Sequence, residues 1–279
     1  DNVAAVVDFS SIAKRAREVS KQVEEEDRNE QLQIIAATDT RTAYDFQLPL
    51  KGVLQPVETI VSRKKMPETS KETTNNDSSN SSDSSSTPAT TEGGLVRPKV
   101  LLVVNIKQDD PIARKDISEL SSLAAKYGKD GEFVVLCCPT DQGYYEPDTS
   151  TLIRLKLAQE YSFFVNPSAI VTDKVNLLAN GADPFWRWLE GTCRTPAGIG
   201  KIQANFEKFL LDGKTGLPLR RYPRKFDPFE LKDDIEALLN GQRLPPPAAN
   251  WREEWRIAAV EAERDTYRFQ KGINYYDQE

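Results

Sequence analysis

The 279-residue chain has no histidine, three cysteines, no excess of basic residues and no long apolar run. Each scarcity removes a class of chemistry. Without imidazole there is no Ser-His or Cys-His nucleophile pair and no histidine-ligated zinc or haem. Cys137 and Cys138 side by side, with Cys193 alone, are too few and too badly spaced for a zinc ribbon or a disulfide-stapled scaffold. Any redox role therefore rests on these three thiols. The 37 Lys and Arg face 43 Asp and Glu, a formal net charge of −6. A nucleic-acid binder needs a basic excess or stripe, so nucleic acid is excluded as a partner. Apolar runs such as Val100-Leu101-Leu102-Val103-Val104 fall far short of the ~20 residues of a membrane span, which predicts no spanning helix and leaves open a place peripheral to a membrane complex.

With 38% apolar and 29% charged residues, the chain can bury one core of ordinary size, and its length allows one or two domains. The sequence begins at Asp1 with neither Met nor a hydrophobic signal core, which reads as a processed or trimmed chain. Over residues 1–42, Ile12, Ala16, Val19 and Val23 form one helical stripe flanked by charge. This amphipathic arm can pack on its own domain or be offered to a partner. Residues 67–96 are rich in Ser, Thr and Asn, and cannot offset their ordering entropy by burial, so a disordered insertion is expected. Asn76 and Asn80 within it match the glycosylation pattern, a match that Ser-rich tracts also give by chance.

The middle of the chain alternates. Val100–Ile106 is a β-branched and Leu run of the kind found in a strand buried on both faces, and Glu132–Cys138 repeats the pattern in Phe133-Val134-Val135-Leu136. Between them Ile117, Leu120, Ala124 and Tyr127 keep helical spacing up to Gly128, which predicts a βαβ unit. Phe206–Leu211 and Leu217–Tyr222, separated by Asp212-Gly213-Lys214-Thr215-Gly216, read as a β-hairpin. Leu231, Ile235, Leu238 and Leu239 then give a closing helix ended by Gly241.

This βαβ-then-ββα order is the plan of the thioredoxin fold, and residues 43–240 resemble the glutathione peroxidase branch of it. The resemblance is carried by Ala43-Tyr44-Asp45-Phe46, Lys99 to Asn105, Gly143 with Glu146-Pro147, Asp173-Lys174-Val175-Asn176 and Ala182-Asp183-Pro184. It continues in Ile202, Asn205 to Leu210, and Arg221-Tyr222, in order and at near-family spacing. It implies an α/β fold: a central mixed sheet flanked by helices, here with helical extensions at both ends.

The same resemblance implies peroxide reduction by a cysteine or selenocysteine at a helix start, where amide dipoles stabilise the chalcogenolate. Registration on Asn105 puts Asp110 at that position, and a carboxylate oxygen cannot take an oxygen atom from peroxide as sulfur does. Asp110-Pro111 is instead a favourable N-cap and first helical residue. The family's Gln falls at Asp141, or at Gln142 with a slip of one, and its Trp at Ala204. Only Asn205 of the catalytic group remains, which predicts a family member without peroxidase activity and without a cofactor.

The contrary case rests on thiols. Some thioredoxin-dependent members carry a further Cys near the second-strand motif, so an atypical thiol peroxidase or redox sensor working through Cys138 or a loop-exposed Cys193 is the alternative. Adjacent strand residues face opposite ways, and free Cys often simply fills core space. Asp109-Asp110 and Asp233-Asp234 are pairs that could hold a divalent ion. A helix start and a solvated helix face explain them without metal.

Residues 241–279 open with the stiff spacer Pro245-Pro246-Pro247. Asn250 with Glu253 reads as a capping box, and Trp251, Trp255, Ala258, Ala262 and Phe269 form one helical stripe. Together with Tyr275 and Tyr276, Trp251, Trp255 and Phe269 supply the aromatic surface that anchors interfaces. The expectation is docking to other protein subunits through both extensions, with the tail folding back over its own domain as the competing arrangement. A chloroplast location beside the photosynthetic membrane is expected, with mitochondrion or cytoplasm as alternatives.

Overall fold

The structure, a computed structural model, describes Arg15 and residues 39–64, 94–140, 148–177 and 181–265. The chain divides between Arg41 and Thr42, and the unit beginning at Thr42 is the one described below. The stripe of residues 12–23, Asn76, Asn80, Asp141, Gln142, Phe269, Tyr275 and Tyr276 lie outside the described residues.

A 3-10 turn, Ala43–Asp45, is closed by a reciprocal capping box between Thr42 and Asp45. It leads into the hairpin β1 (Gln47–Leu50) and β2 (Val53–Pro56), then the short helix α1 (Val57–Val61). β3 (Arg63–Lys64) pairs antiparallel with β4 (Leu95–Val96). Leu95 and Val96, expected at the end of the disordered tract, are therefore strand residues.

The core strand β5 (Val100–Ile106) is buried at all seven positions, and so is β6 (Phe133–Pro139). They pair in parallel, Val100 opposite Phe133, across helix α2 (Ala113–Tyr127). Helix α3 (Ser150–Tyr161) then crosses to β7 (Ala169–Val171), which lies parallel to β6, and α4 (Pro184–Thr192) follows. The hairpin β8 (Lys208–Asp212) and β9 (Pro218–Tyr222) adds to the other edge through an antiparallel pairing of β5 with β8. Helices α5 (Lys232–Leu239) and α6 (Trp251–Asp265) close the described chain. The sheet order β7-β6-β5-β8-β9 makes the expected mixed sheet, with the βαβ unit and the hairpin where the sequence placed them.

Alternation along the buried strands divides the core in two. Val100, Leu102, Val104 and Cys137 face α2, α3, α5 and α6, whereas Leu101, Val103, Leu136 and Cys138 face α1 and α4. A strand covered on both faces is apolar at nearly every position, which is why these runs are almost unbroken, Asn105 being the polar exception in β5. Gly128 does end α2, but at φ −86°, outside the left-handed region. Its need is space: a Cβ there would sit 2.3 Å from the Cβ of Ser168, whose hydroxyl donates to the Gly128 carbonyl. At Gly241, by contrast, φ is +70° and the turn after α5 uses that freedom. Among the described residues, no helix is long and apolar enough to cross a membrane.

Candidate functional site

The site forms where the C-terminal end of β5 meets the loop before β8. Asn105 pins that loop: its Nδ2 donates to the Ala204 carbonyl at 3.0 Å, and its Oδ1 accepts the Glu207 N–H at 3.0 Å. Phe206 takes a left-handed backbone, φ +63°, and its N–H donates to the Asn105 carbonyl. Glu207 holds the loop from within, accepting the N–H groups of Gln203 and Ala204 while paired at 2.6 Å to Arg221. Both members of that pair are buried, and breaking one would strand the other's charge.

This scaffold brings Ala204 and Asn205 to one cavity with Asp110. Asn205 Nδ2 lies 3.4 Å from Asp110 Oδ2. The carboxylate has a stronger partner that the sequence did not mark: both its oxygens accept from the Arg224 guanidinium, one of them at 2.6 Å. Such a two-point contact fixes orientation as well as charge. Arg224 is itself positioned from inside. Lys208 Nζ donates to the carbonyls of Arg224 and Phe226 at 3.1 and 2.6 Å and ion-pairs with Asp116 at 3.0 Å.

The helix start differs from the sequence expectation. Asp110 does not cap α2 directly: Ile112 occupies the N-cap position with no side-chain cap, while Asp110 Oδ1 accepts the Ile112 N–H and caps only the preceding turn. The reach to Arg224 turns the carboxylate away from the first amides of α2.

The tail reverses another expectation. Trp251 and Trp255 are 6% and 1% exposed and belong to the domain's own core. Trp251 packs edge-on against Tyr222 and Phe226, with ring centroids 5.8 and 5.4 Å away, and the Arg221 guanidinium lies 5.5 Å from the Trp255 ring. These two residues are not partner surface, because the apolar stripe of α6 covers the end of the sheet beside β9. Asn250 donates to Glu254, one residue beyond the expected box partner. α6 thus lies over the site, and a cavity of about 240 Å³ remains between them, lined by Asp110, Ala204, Asn205, Arg224, Trp255 and Ala262 among others.

All three cysteines are buried and unpaired. Cys193 is only 6% exposed at the end of α4, not on an open loop. Burial pushes Cys138 and Cys193 each up to about 12, and Cys137 well above its ordinary value. A raised thiol pKa leaves the group protonated throughout the neutral range, and the thiolate is the reactive form. Iodoacetamide at pH 8 should therefore label none of the three in the native protein and all three in denaturant. Stoichiometric native labelling, read by intact mass, would contradict this placement.

One member of each acidic pair has a partner within the protein. Asp234, expected on a solvated face, is 8% exposed, accepts from the Tyr222 hydroxyl and pairs with Arg220 at 2.7 Å. Asp110 is taken by Arg224. Among the described residues, no group of three or more potential ligands is arranged for a metal ion.

No family model matches the chain. It is 34% identical over 146 residues to a protein of Arabidopsis thaliana named phospholipid hydroperoxide glutathione peroxidase 1, chloroplastic, over 50% of this chain and 57% of that one. Glutathione peroxidase 1 of Rattus norvegicus is 30% identical over 174 residues, spanning 55% of this chain and 85% of the rat protein. The chain belongs to the glutathione peroxidase family. Its central mixed sheet and flanking helices are the thioredoxin-like fold of that family. The chain spans a little over half the length of the Arabidopsis relative. The crystal structure of T. cruzi GPX1 superposes with a TM-score of 0.46 at 16% identity, over 72% of this chain and 97% of that one.

Proposed function

We propose that this member of the glutathione peroxidase family has given up peroxide reduction and serves as a docking subunit of a larger assembly, in a chloroplast and beside the photosynthetic membrane. The observation carrying the first half is Asp110: the position assigned to the nucleophile holds a carboxylate bound at both oxygens by Arg224. No thiol lines the cavity there. The name of the Arabidopsis relative supports the location.

The docking half rests on what the domain does not absorb. With Trp251 and Trp255 turned inward, α6 presents Ile257 and Val260, about half exposed and three residues apart on one face. Phe269, Tyr275 and Tyr276 follow in sequence, and residues 12–23 carry a second apolar stripe. These are the candidate contacts with other protein subunits.

Peroxide consumption with thioredoxin or glutathione as reductant tests the first half. The expected rate is that of reductant alone. Turnover that disappears in Cys138→Ser or Cys193→Ser would restore the thiol-peroxidase alternative. Co-purification in mild detergent followed by mass spectrometry tests the second. Recovery of a stable set of subunits, lost when residues 266–279 are removed, is the expected result, and a chain recovered alone overturns it.

A further inference from the structure

A groove runs between α6 and residues 223–230, the segment that follows β9. Phe226 lines it, half-buried and held by Tyr222 and Trp251, whose ring centroids lie 5.3 and 5.4 Å away. Pro223, Ala258 and Ile257 add apolar surface, Ile257 being about half exposed. Val260 stands three residues further along α6 and is about as exposed, so the apolar surface continues past the groove. The volume, about 260 Å³, lies below the ~300–1,000 Å³ of sites that enclose a small ligand. Such a groove takes side chains of another chain.

Charge decides which chain. Three carboxylates line the groove, Glu230, Glu254 and Glu261, against one ammonium, Lys225. Lys225 is taken by Glu261 at 2.5 Å. Glu230 accepts the Asp227 N–H and Glu254 the Asn250 side-chain amide, both neutral donors, and among the described residues neither carboxylate is paired with a cation. The nearby cations are engaged elsewhere: Arg256 with Glu253 at 3.7 Å, and Lys232 over the Phe229 ring at 4.2 Å. Apolar surface thus lies beside uncompensated negative charge. That combination eliminates three occupants. A second copy meeting this face about a two-fold axis would set one negative patch against another. An anionic lipid surface attracts polybasic segments and repels this one. Every lining residue belongs to α6 or to residues 223–230, so no sheet edge is offered for strand addition.

We propose that this groove is a seat of docking and that its occupant is a basic amphipathic helix of another subunit. Apolar side chains at helical spacing pack on Phe226 and Ile257, and flanking Lys or Arg side chains meet Glu230 and Glu254. The assignment rests on the docking role proposed above and adds the chemistry that the partner must carry.

The probe is a fluorescein-labelled Leu/Lys amphipathic peptide of about 15 residues, long enough to form a helix, titrated into the full chain at low salt and read by anisotropy. Its Leu/Glu counterpart is the control. The Leu/Lys peptide should bind with a Kd on the order of 10–100 μM, because it orders as it binds. The Leu/Glu peptide should bind about tenfold more weakly, and the gap should close at about 1 M salt, where charges are screened within ~3 Å. Glu230→Gln with Glu254→Gln keeps an acceptor at both positions and should reduce the preference about fivefold. Ile257→Ser should weaken the Leu/Lys peptide about tenfold, the loss of one anchoring contact. Leu155→Ser, at a position 61% exposed on α3, should change nothing and so controls for general stickiness; melting curves confirm that each variant is native. Equal binding of the two peptides, indifference to Ile257→Ser, an equal loss in Leu155→Ser, or no Leu/Lys binding up to about 1 mM would each overturn the proposal. Co-purification keeps the two readings apart: subunits recovered equally with the Ile257→Ser chain and the unaltered one preserve the docking role and overturn the groove as its seat.

Discussion

Replacing Lys208 with Met is expected to destabilise the domain by about 3–5 kcal/mol, the cost of removing one partner of a buried ion pair. The Lys208 and Asp116 side chains are 0% and 2% exposed. Burial pushes the Asp116 carboxyl up and the Lys208 ammonium down, and each partly restores the charged form of the other. Without Lys208, Asp116 is either charged without a partner or forced to bind a proton. The carbonyls of Arg224 and Phe226 lose their donor in the same step, each worth about 1 kcal/mol or more when left unpaired. Because folded domains are stable by only about 5–15 kcal/mol, such a loss is a large fraction of the whole. The double variant Lys208→Met with Asp116→Leu should recover part of it, since the stranded charge is gone while the two carbonyls remain unmet. Urea unfolding at constant m-value measures both variants against the unaltered protein. A single-variant loss below about 1 kcal/mol would mean that water reaches this pair and that the segment carrying Arg224 is held by something else.

The contrast between that pair and the strands explains what the sequence could and could not convey. Val100–Ile106 and Phe133–Pro139 announce themselves because burial on both faces demands apolar residues at consecutive positions, a local pattern. The hairpin and the helices α2 and α5 are legible for the same reason: turn residues and period lie within a dozen positions of each other. Asp110 is singled out by family register alone, yet its partner Arg224 is 114 residues away, and no spacing rule connects them. Asp234 looks solvated between Asp233 and Glu236, but it is drawn inward by Arg220 and Tyr222 from the preceding hairpin. Cys193 was misjudged because Gly191-Thr192-Cys193-Arg194 has loop composition, whereas the end of α4 folds it under the aromatic cluster of Phe185 and Trp188. The stripe of α6 shows the same limit in its sharpest form. Periodicity states that Trp251 and Trp255 share an apolar face; it does not state which surface they cover.

The surface they do cover sets the second large effect. Trp255→Ala should cost about 3–5 kcal/mol, as for other fully buried tryptophans, and lower the melting temperature by roughly 10 °C for a domain of this size. The loss should fall near the upper end, because the deleted indole would merge with the existing cavity of about 240 Å³ and the Arg221 side chain would lose its aromatic neighbour. Trp255→Phe should cost well under half as much. Removing residues 245–279 takes Trp251 away too and bares Tyr222 and Phe226, so it should lower stability further and broaden the transition. If the truncated chain instead melts cooperatively within a few degrees of the full one, α6 is an interface element resting on the domain and not part of its core. The expected outcome ties the chemistry to the fold: the helix that covers Asp110, Ala204 and Asn205 also completes the packing around β9. Opening the space around Asp110 to solvent then requires giving up the tryptophan that closes the core, so access to this site is opposed by stability.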